Sequence, residues 1–318
     1  MLTSRNNDAI MIKMRLTMKA IIQNRYGDEN TLELVEVSTP VISKPNQFLI
    51  KVAYANISSG DKNINTIDQP FVIKLILRLL FGWNGPKSKI RGISGSGVVV
   101  EVGSDITGVK VGDHVNFINS MKAGVLAEYL VLSSDSKFAV VDSSVDLVDA
   151  APIAFGAMSA YHFINEQNLK EGYDIYIYGA SGAVGTYALS LATHFKANIT
   201  AVASQKHHEK LNVFPVQKFI DYKNQNPFDI QQRFDVIFDA VGKIKKTDIQ
   251  HLLKPNGKFY SIKSPTKEDS QRLTHLNEWL SRGSLKTIID KVYDFEDYKQ
   301  AHAHVYAGHK SGNVIIKI

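Results

Sequence analysis

The residues best placed to do chemistry in this chain are glycines. Tyr176-Ile177-Tyr178 runs into Gly179-Ala180-Ser181-Gly182-Ala183-Val184-Gly185, and apolar residues at helical spacing follow through Ala188, Leu189, Leu191 and Ala192 to Phe195. A buried strand, a tight turn and the first turn of a helix present unpaired backbone N–H groups and a partial positive charge, which suits an anion. Gly182 lets the main chain come close to a pyrophosphate, and Gly185 lets the helix pack closely on the strand. The spacing is Gly-x-x-Gly-x-x-Gly and not GxGxxG, so its context carries the reading. Residues 198–204 read as a second strand, and the span from Tyr178 to Ser204 fits one compact βαβ unit. The candidate dinucleotide contacts are therefore Gly179, Ala180, Ser181, Gly182, Ala183 and Val184. The competing reading is a glycine-rich turn in some other α/β protein.

The end of the second strand selects between cofactors. An acid there would pair with a ribose 2′-OH and repel a 2′-phosphate. This strand ends Ala201-Val202-Ala203-Ser204 and continues Gln205-Lys206-His207-His208, with no acid before Glu209. Ser204 and Lys206 offer a hydroxyl and a cation, which points to NADPH. An ordinary basic loop is the alternative.

Bulk properties narrow the class. The chain has 318 residues, 44% hydrophobic and 21% charged, which is enough for two domains with their own cores. A net charge of +6 is spread along the sequence, without a basic stripe interleaved with aromatics, so nucleic acid is not an expected partner. With no Cys, disulfides, thiolate nucleophiles and Cys-ligated zinc are excluded. Residues 1–17 lack an apolar core of signal-peptide length and read as an optional extension, so the expected location is cytoplasmic. The most apolar stretch, FVIKLILRLLFGW over 71–83, is too short to span a bilayer, so no integral membrane segment is expected. It reads as a lid or wall of a substrate pocket. Lys74 and Arg78 at i,i+4 also allow a helix that touches a membrane surface.

The elements that position these residues fall into two kinds. Residues 18–140 are β-rich, with short alternating runs broken by Gly, Pro, Asn and Asp. From 145 to 275 helices and strands alternate, with strands expected at 174–179, 198–204, 217–220, 235–239 and 257–262. Helices are expected at 148–166, 183–195 and 206–213. That alternation implies a doubly wound α/β domain with a parallel sheet. A helix near 267–281 and a last strand at 313–318 follow, the strand rejoining the first domain.

Several further motifs stand in order: Met18-Lys19-Ala20, Gly92 with Gly97-Val98-Val99, and Val111-Gly112-Asp113-His114-Val115. Ala127-Glu128-Tyr129, Ala150-Ala151-Pro152, the glycine loop, 235–242 (DVIFDAVG) and Gly308-His309-Lys310 with Gly312-Asn313-Val314-Ile315 follow. Together they resemble the medium-chain dehydrogenase/reductase superfamily, in its zinc-free quinone oxidoreductase-like branch, over nearly everything after Met18. The resemblance implies a GroES-like β-rich catalytic domain (18–144 and 276–318) and a Rossmann domain (145–275), with the site in the cleft between them. It implies hydride transfer from NADPH to a small hydrophobic quinone or α,β-unsaturated carbonyl.

Zinc-dependent relatives carry Cys where Ser58 stands, and His-Glu where Ile93-Ser94 stands, so no metal is expected. Ser58, or Asn56 nearby, is the candidate donor to a developing oxyanion, although both also suit a turn. The resemblance places Tyr222 near the adenosine 2′-phosphate, Ala240 and Val241 against the nicotinamide ribose, and Ser261 and Ser159 on the cofactor. Asp61 and Asp239 read as structural, and the ten His as surface residues. Only 263–269 separates the strand at 257–262 from the next helix, a shortening at the place where relatives pair edge strands, which counts against a homodimer by that route. Two other functions stay in view: a cofactor-binding scaffold or redox-responsive protein with little catalysis, and a zinc-free alcohol or aldehyde oxidoreductase.

Overall fold

The computed structural model describes residues 17–318, so the extension expected over 1–17 lies outside the described residues except for Thr17. The chain opens with a hairpin of β1 (Thr17–Gln23) and β2 (Leu32–Ser38), paired antiparallel. The long β3 (Gln47–Ile57) follows, then α1 (Ser59–Thr66) and α2 (Phe71–Phe81). Next come β4 (Ser94–Val102), β5 (His114–Ile118), β6 (Tyr129–Ser133) and β7 (Lys137–Val141).

The helix expected over 148–166 is broken. One turn at Leu147–Ala150 gives way to a π-helical stretch at Ile153–Ala157, and α3 (Met158–Phe163) resumes. Pro152 removes a backbone donor at the break. Gly156 then lies where a Cβ would sit 2.8 Å from Tyr187 Cε2, so a tight approach to the next helix depends on glycine.

An alternating βα run follows: β8 (Asp174–Tyr178), α4 (Ala183–His194), β9 (Asn198–Val202), β10 (Val216–Ile220), β11 (Phe234–Asp239) and β12 (Leu253–Ser261). The helix expected over 206–213 is only a 3-10 turn at Gln205–His207 and one α-turn at His208–Leu211. The chain closes with α5 (Ser270–Ser281), β13 (Ile289–Asp294), α6 (Tyr298–Ala307) and β14 (Asn313–Lys317).

Two sheets organise the molecule. One is parallel throughout, ordered β10-β9-β8-β11-β12. In chain order that is 3-2-1-4-5, the doubly wound arrangement with its reversal between β8 and β11. Among the described residues it ends at β12, with no sixth strand before α5. The other sheet runs β13-β14-β3-β4-β5-β7, with β6 also on β3, and all its pairs but β13–β14 are antiparallel.

The central parallel strands β9, β8 and β11 are buried on both faces, as helices on each side require, while the edge strands β10 and β12 are only partly covered. In β8, Ile175 and Ile177 join one core with Ala188, Leu189 and Phe238, while Tyr176 joins another with Phe234 and Ile237. A third core, including Phe48, Phe117, Tyr298 and Val305, lies between the antiparallel sheet and α6. Among the described residues no helix is long and apolar enough to cross a membrane.

Candidate active site

The carboxyl ends of β8 and β11 meet at the reversal point, where the glycine loop forms one wall of a cleft. Gly179 takes φ +79°, which L side chains rarely adopt, and a Cβ there would lie 2.2 Å from Val241 Cγ2. The Gly179 and Ala180 amides both donate to the Val202 carbonyl, at 3.1 and 3.0 Å, tying the turn to β9. A Cβ on Gly185 would meet the Gly179 carbonyl at 2.1 Å, whereas one on Gly182 finds nothing closer than 3.5 Å. Gly182 is the N-cap of α4, and no side chain caps it. The first amides of α4 therefore have no partner within the helix and are free for an anion.

The cleft has a volume of about 520 Å³, and its lining is basic. Lys206, Lys223, Lys243, Lys310, His207 and His309 line it, with no Asp or Glu. Burial pushes the Lys310 ammonium down to about 8, against the opposing pull of Asp290. Burial also lowers His207, helped by the Lys206 charge. Asp239 holds the opposite rim. Fully buried, it accepts from the amides of Val241 (3.0 Å), Gly242 (2.8 Å) and Ile244 (2.9 Å), and so fixes the loop after β11. Glycine-loop geometry, free amides and a cationic lining without carboxylates suit a dinucleotide phosphate chain.

The sequence-predicted residues divide between the cleft and its support. Gly179, Ser181, Gly182, Ala183, Val184, Lys206, Tyr222, Ala240, Val241 and Ser58 line the cleft. Ala180 is wholly buried beneath the turn, and Ser204 and Ser159 are buried away from the lining. Ser261 donates its hydroxyl to Asp239 Oδ2 at 3.3 Å, so it braces the rim. Asn56 is buried on β3, with Nδ2 donating to Ser94 Oγ at 3.2 Å. Sequence reasoning missed Phe155, His207, Lys223, Lys243, Val305 and the run from Ala307 to Lys310. Lys223 and His207 adjoin residues already singled out, which was the available signal. Gly308-His309-Lys310 comes from far along the chain, and the Gly312 amide donating to the Ser181 carbonyl at 2.8 Å brings it in.

Ser58 serves the fold first. It caps α1: its hydroxyl donates to Asp61 Oδ2 (2.7 Å), its own amide donates to the same oxygen (2.9 Å), and the Asp61 amide donates back to Ser58 Oγ (3.3 Å). Burial pushes the Asp61 carboxyl up from the usual range, opposed by the Ser58 bonds and by Arg91. Arg91, itself buried, is held by Asn65 Oδ1 at 2.8 Å. Ile93 and Ser94 are buried, and among the described residues no group of three or more His, Asp or Glu side chains could hold a metal ion.

Two sequence expectations need correction. The ten His are not all on the surface, because His302 is completely buried on α6, which packs onto the antiparallel sheet and α1. The 71–83 segment is not a covered wall either. Leu80 and Phe81 border a hollow, but the helix buries no residue. Its hydrophobic periodicity was legible, whereas the face it turns to the protein was not.

Comparison with known proteins agrees with the geometry. A model of the alcohol dehydrogenase GroES-like domain matches residues 44–171, and a zinc-binding dehydrogenase model matches 264–316. The 2-methylene-furan-3-one reductase of Solanum lycopersicum is 27% identical, over 94% of this chain and 79% of its own. The chloroplastic NADPH-dependent alkenal/one oxidoreductase of Arabidopsis thaliana is 26% identical over the same shares. A solved quinone oxidoreductase from Coxiella burnetii superposes with a TM-score of 0.82 at 24% identity, covering 95% of this chain and 99% of that one. The β-rich sheet is thus GroES-like and the parallel sheet Rossmann-like, and the chain belongs to the medium-chain dehydrogenase/reductase superfamily.

Proposed function

We propose that the protein is an NADPH-dependent, zinc-independent oxidoreductase that reduces a quinone or the alkene of an α,β-unsaturated carbonyl. The observation that carries this reading is the cleft on the glycine loop, lined by four Lys and two His and by no carboxylate. Bound NADPH would supply the hydride. The free amides at the start of α4 would hold the pyrophosphate, and Lys206, Tyr222 and Lys223 would face the 2′-phosphate end. Phe155, Val184, Val241, Val305 and Ala307 give the cleft apolar surface for a hydrophobic acceptor. Two relatives are named for reduction of an enone-type substrate, which supports that acceptor class. Zinc chemistry is disfavoured by the residues themselves: the chain has no Cys, and Ile93 and Ser94 replace a ligand and its neighbour. On this reading 18–144 and 276–318 form the catalytic domain, and 145–275 the cofactor domain.

One observation favours a second reading, a cofactor-binding protein with little catalysis. The Ser58 proton is committed to Asp61 and Asn56 lies off the cleft, so neither expected oxyanion donor is free. Incubation with NADPH and a panel of enones and quinones, following loss of reduced cofactor with NADH in parallel, tests both. Turnover preferring NADPH is expected. Tight NADPH binding with no acceptor consumed would sink the reductase reading and leave the second.

A further inference from the structure

Helix α2 is built inside out. Phe71 is 80% exposed, Val72 67% and Leu79 72%, with Leu75 and Ile76 also exposed, and Trp83 just past the helix is 56% exposed. The positions turned inward are Lys74, Leu77, Arg78 and Phe81, which are only partly covered and sit at i, i+3, i+4 and i+7. A helix of a globular chain ordinarily faces the other way, with its apolar stripe on the core. A contiguous outward apolar face of this kind marks a contact surface.

The charge around it says what the contact is. From Gln69 to Val100 the sequence holds not one Asp or Glu; of its five cations Lys87 and Lys89 are exposed, Lys74 and Arg78 are turned inward, and Arg91 is buried. Lys87 donates to the carbonyls of Leu79 and Leu80, at 3.2 and 3.3 Å, which places an ammonium at the C-terminus of α2 near Trp83. Exposed Lys122 and Met121 stand across a hollow of about 430 Å³ from Leu80 and Phe81, extending the apolar and basic surface. A second copy of this chain would bring the same acid-free segment against itself, cation to cation. Anionic headgroups above an acyl layer satisfy both the charge and the apolar face.

We propose that α2 seats this protein on the surface of an anionic lipid bilayer. The helix has 11 residues. At a rise of about 1.5 Å per residue that is far short of the roughly 30 Å hydrocarbon core, so it lies in the plane of the interface. Phe71, Val72, Leu75, Ile76 and Leu79 enter the acyl boundary, Trp83 sits at headgroup level, and the exposed Lys87, Lys89 and Lys122 meet lipid phosphates and carboxylates. The inference stands apart from the reaction proposed above, since none of these residues lines the glycine-loop cleft.

The test is sedimentation of the full chain with vesicles of phosphatidylcholine alone, or of equal parts phosphatidylcholine and phosphatidylserine, with Trp fluorescence recorded. Retention on the mixed vesicles, a blue shift of Trp83 and weakening by salt are expected. The double substitution Leu75→Glu, Leu79→Glu, at exposed positions, should lower retention by about tenfold or more while thermal unfolding and NADPH binding are unchanged. Lys87→Glu should lower retention on mixed vesicles only. The proposal is overturned if the wild-type chain stays in the supernatant with both vesicles, or if the double variant sediments equally well. A lipid-free dimer dissolved by the same substitutions also overturns it and names a second copy as the occupant.

Discussion

Ser58 and Asp61 satisfy one another at the start of α1, hydroxyl to carboxylate at 2.7 Å and amide back to hydroxyl at 3.3 Å. The resemblance read from the sequence sets Ser58 where zinc-dependent relatives would carry a Cys ligand; in this fold the residue caps a helix. Ser58→Ala removes the cap and strips a donor from a buried carboxylate, a loss of about 1–3 kcal/mol. Thermal unfolding should shift down by several degrees with NADPH affinity nearly unchanged. Loss of turnover at unchanged melting temperature would instead show that the hydroxyl reaches substrate.

The glycine loop separates two demands within four residues. Gly185→Ala drives a Cβ against the Gly179 carbonyl at 2.1 Å, while Gly182→Ala adds a methyl into open space beside the free amides. The first substitution should lower both stability and cofactor affinity, by about 1–3 kcal/mol in stability as for other overpacked sites. The second should leave melting unchanged and weaken NADPH alone. Thermal melts and fluorescence titration with NADPH read the two effects separately.

The basic lining predicts both cofactor choice and pH dependence. Lys206→Glu should weaken NADPH far more than NADH, and equal losses would show that this loop does not read the 2′-phosphate. Lys310, depressed to about 8, is cationic below that pH and neutral above it. NADPH affinity should therefore fall as pH rises through about 8, and Lys310→Gln should flatten that step. Isothermal titration across pH 6.5 to 9.5 measures it directly.

His302 predicts acid sensitivity. Its Nδ1 meets the Tyr298 carbonyl at 2.8 Å, Nε2 has no partner among the described residues, and burial lowers the ring to about 4, with Arg91 adding to the effect. The native protein refuses a proton that the unfolded chain accepts below about 6.5. Stability present above that pH is thus lost as pH falls towards 4, by up to about 3 kcal/mol for this group. Denaturant melts of wild type and His302→Leu over that range should converge in slope if other groups carry the effect, and diverge if His302 does.

Much of this was legible in the sequence where a local pattern dictates a local structure. Gly179 to Gly185, the helix after it and the strands between 174 and 239 are set by side-chain period and by glycine sterics and fold close to where they were read, whereas the helix expected over 206–213 shrinks to two short turns. Asp239 as a structural residue was legible for the same reason, because an acid at a strand end followed by a Gly turn collects backbone amides. What escaped depends on contacts between distant parts of the chain. Nothing in His302 or its neighbours announces burial against another sheet. Lys310 enters the cleft because the Gly312 amide pairs with the Ser181 carbonyl, a contact that no periodicity reveals. For 71–83 the pattern gave a helix correctly, but an amphipathic stripe does not say which of its faces meets the protein.

The Gly312 amide bonds the Ser181 carbonyl, and a lone β-bridge joins Gly182 to Gly312. The turn offered to a phosphate is thus stitched to the strand that ends the chain, which itself runs beside β3 in the other sheet. A swing of one sheet away from the other would have to unpick that stitch at the glycine turn itself. On the function proposed above, an anion that stiffens the glycine turn would also stiffen this link between the two sheets.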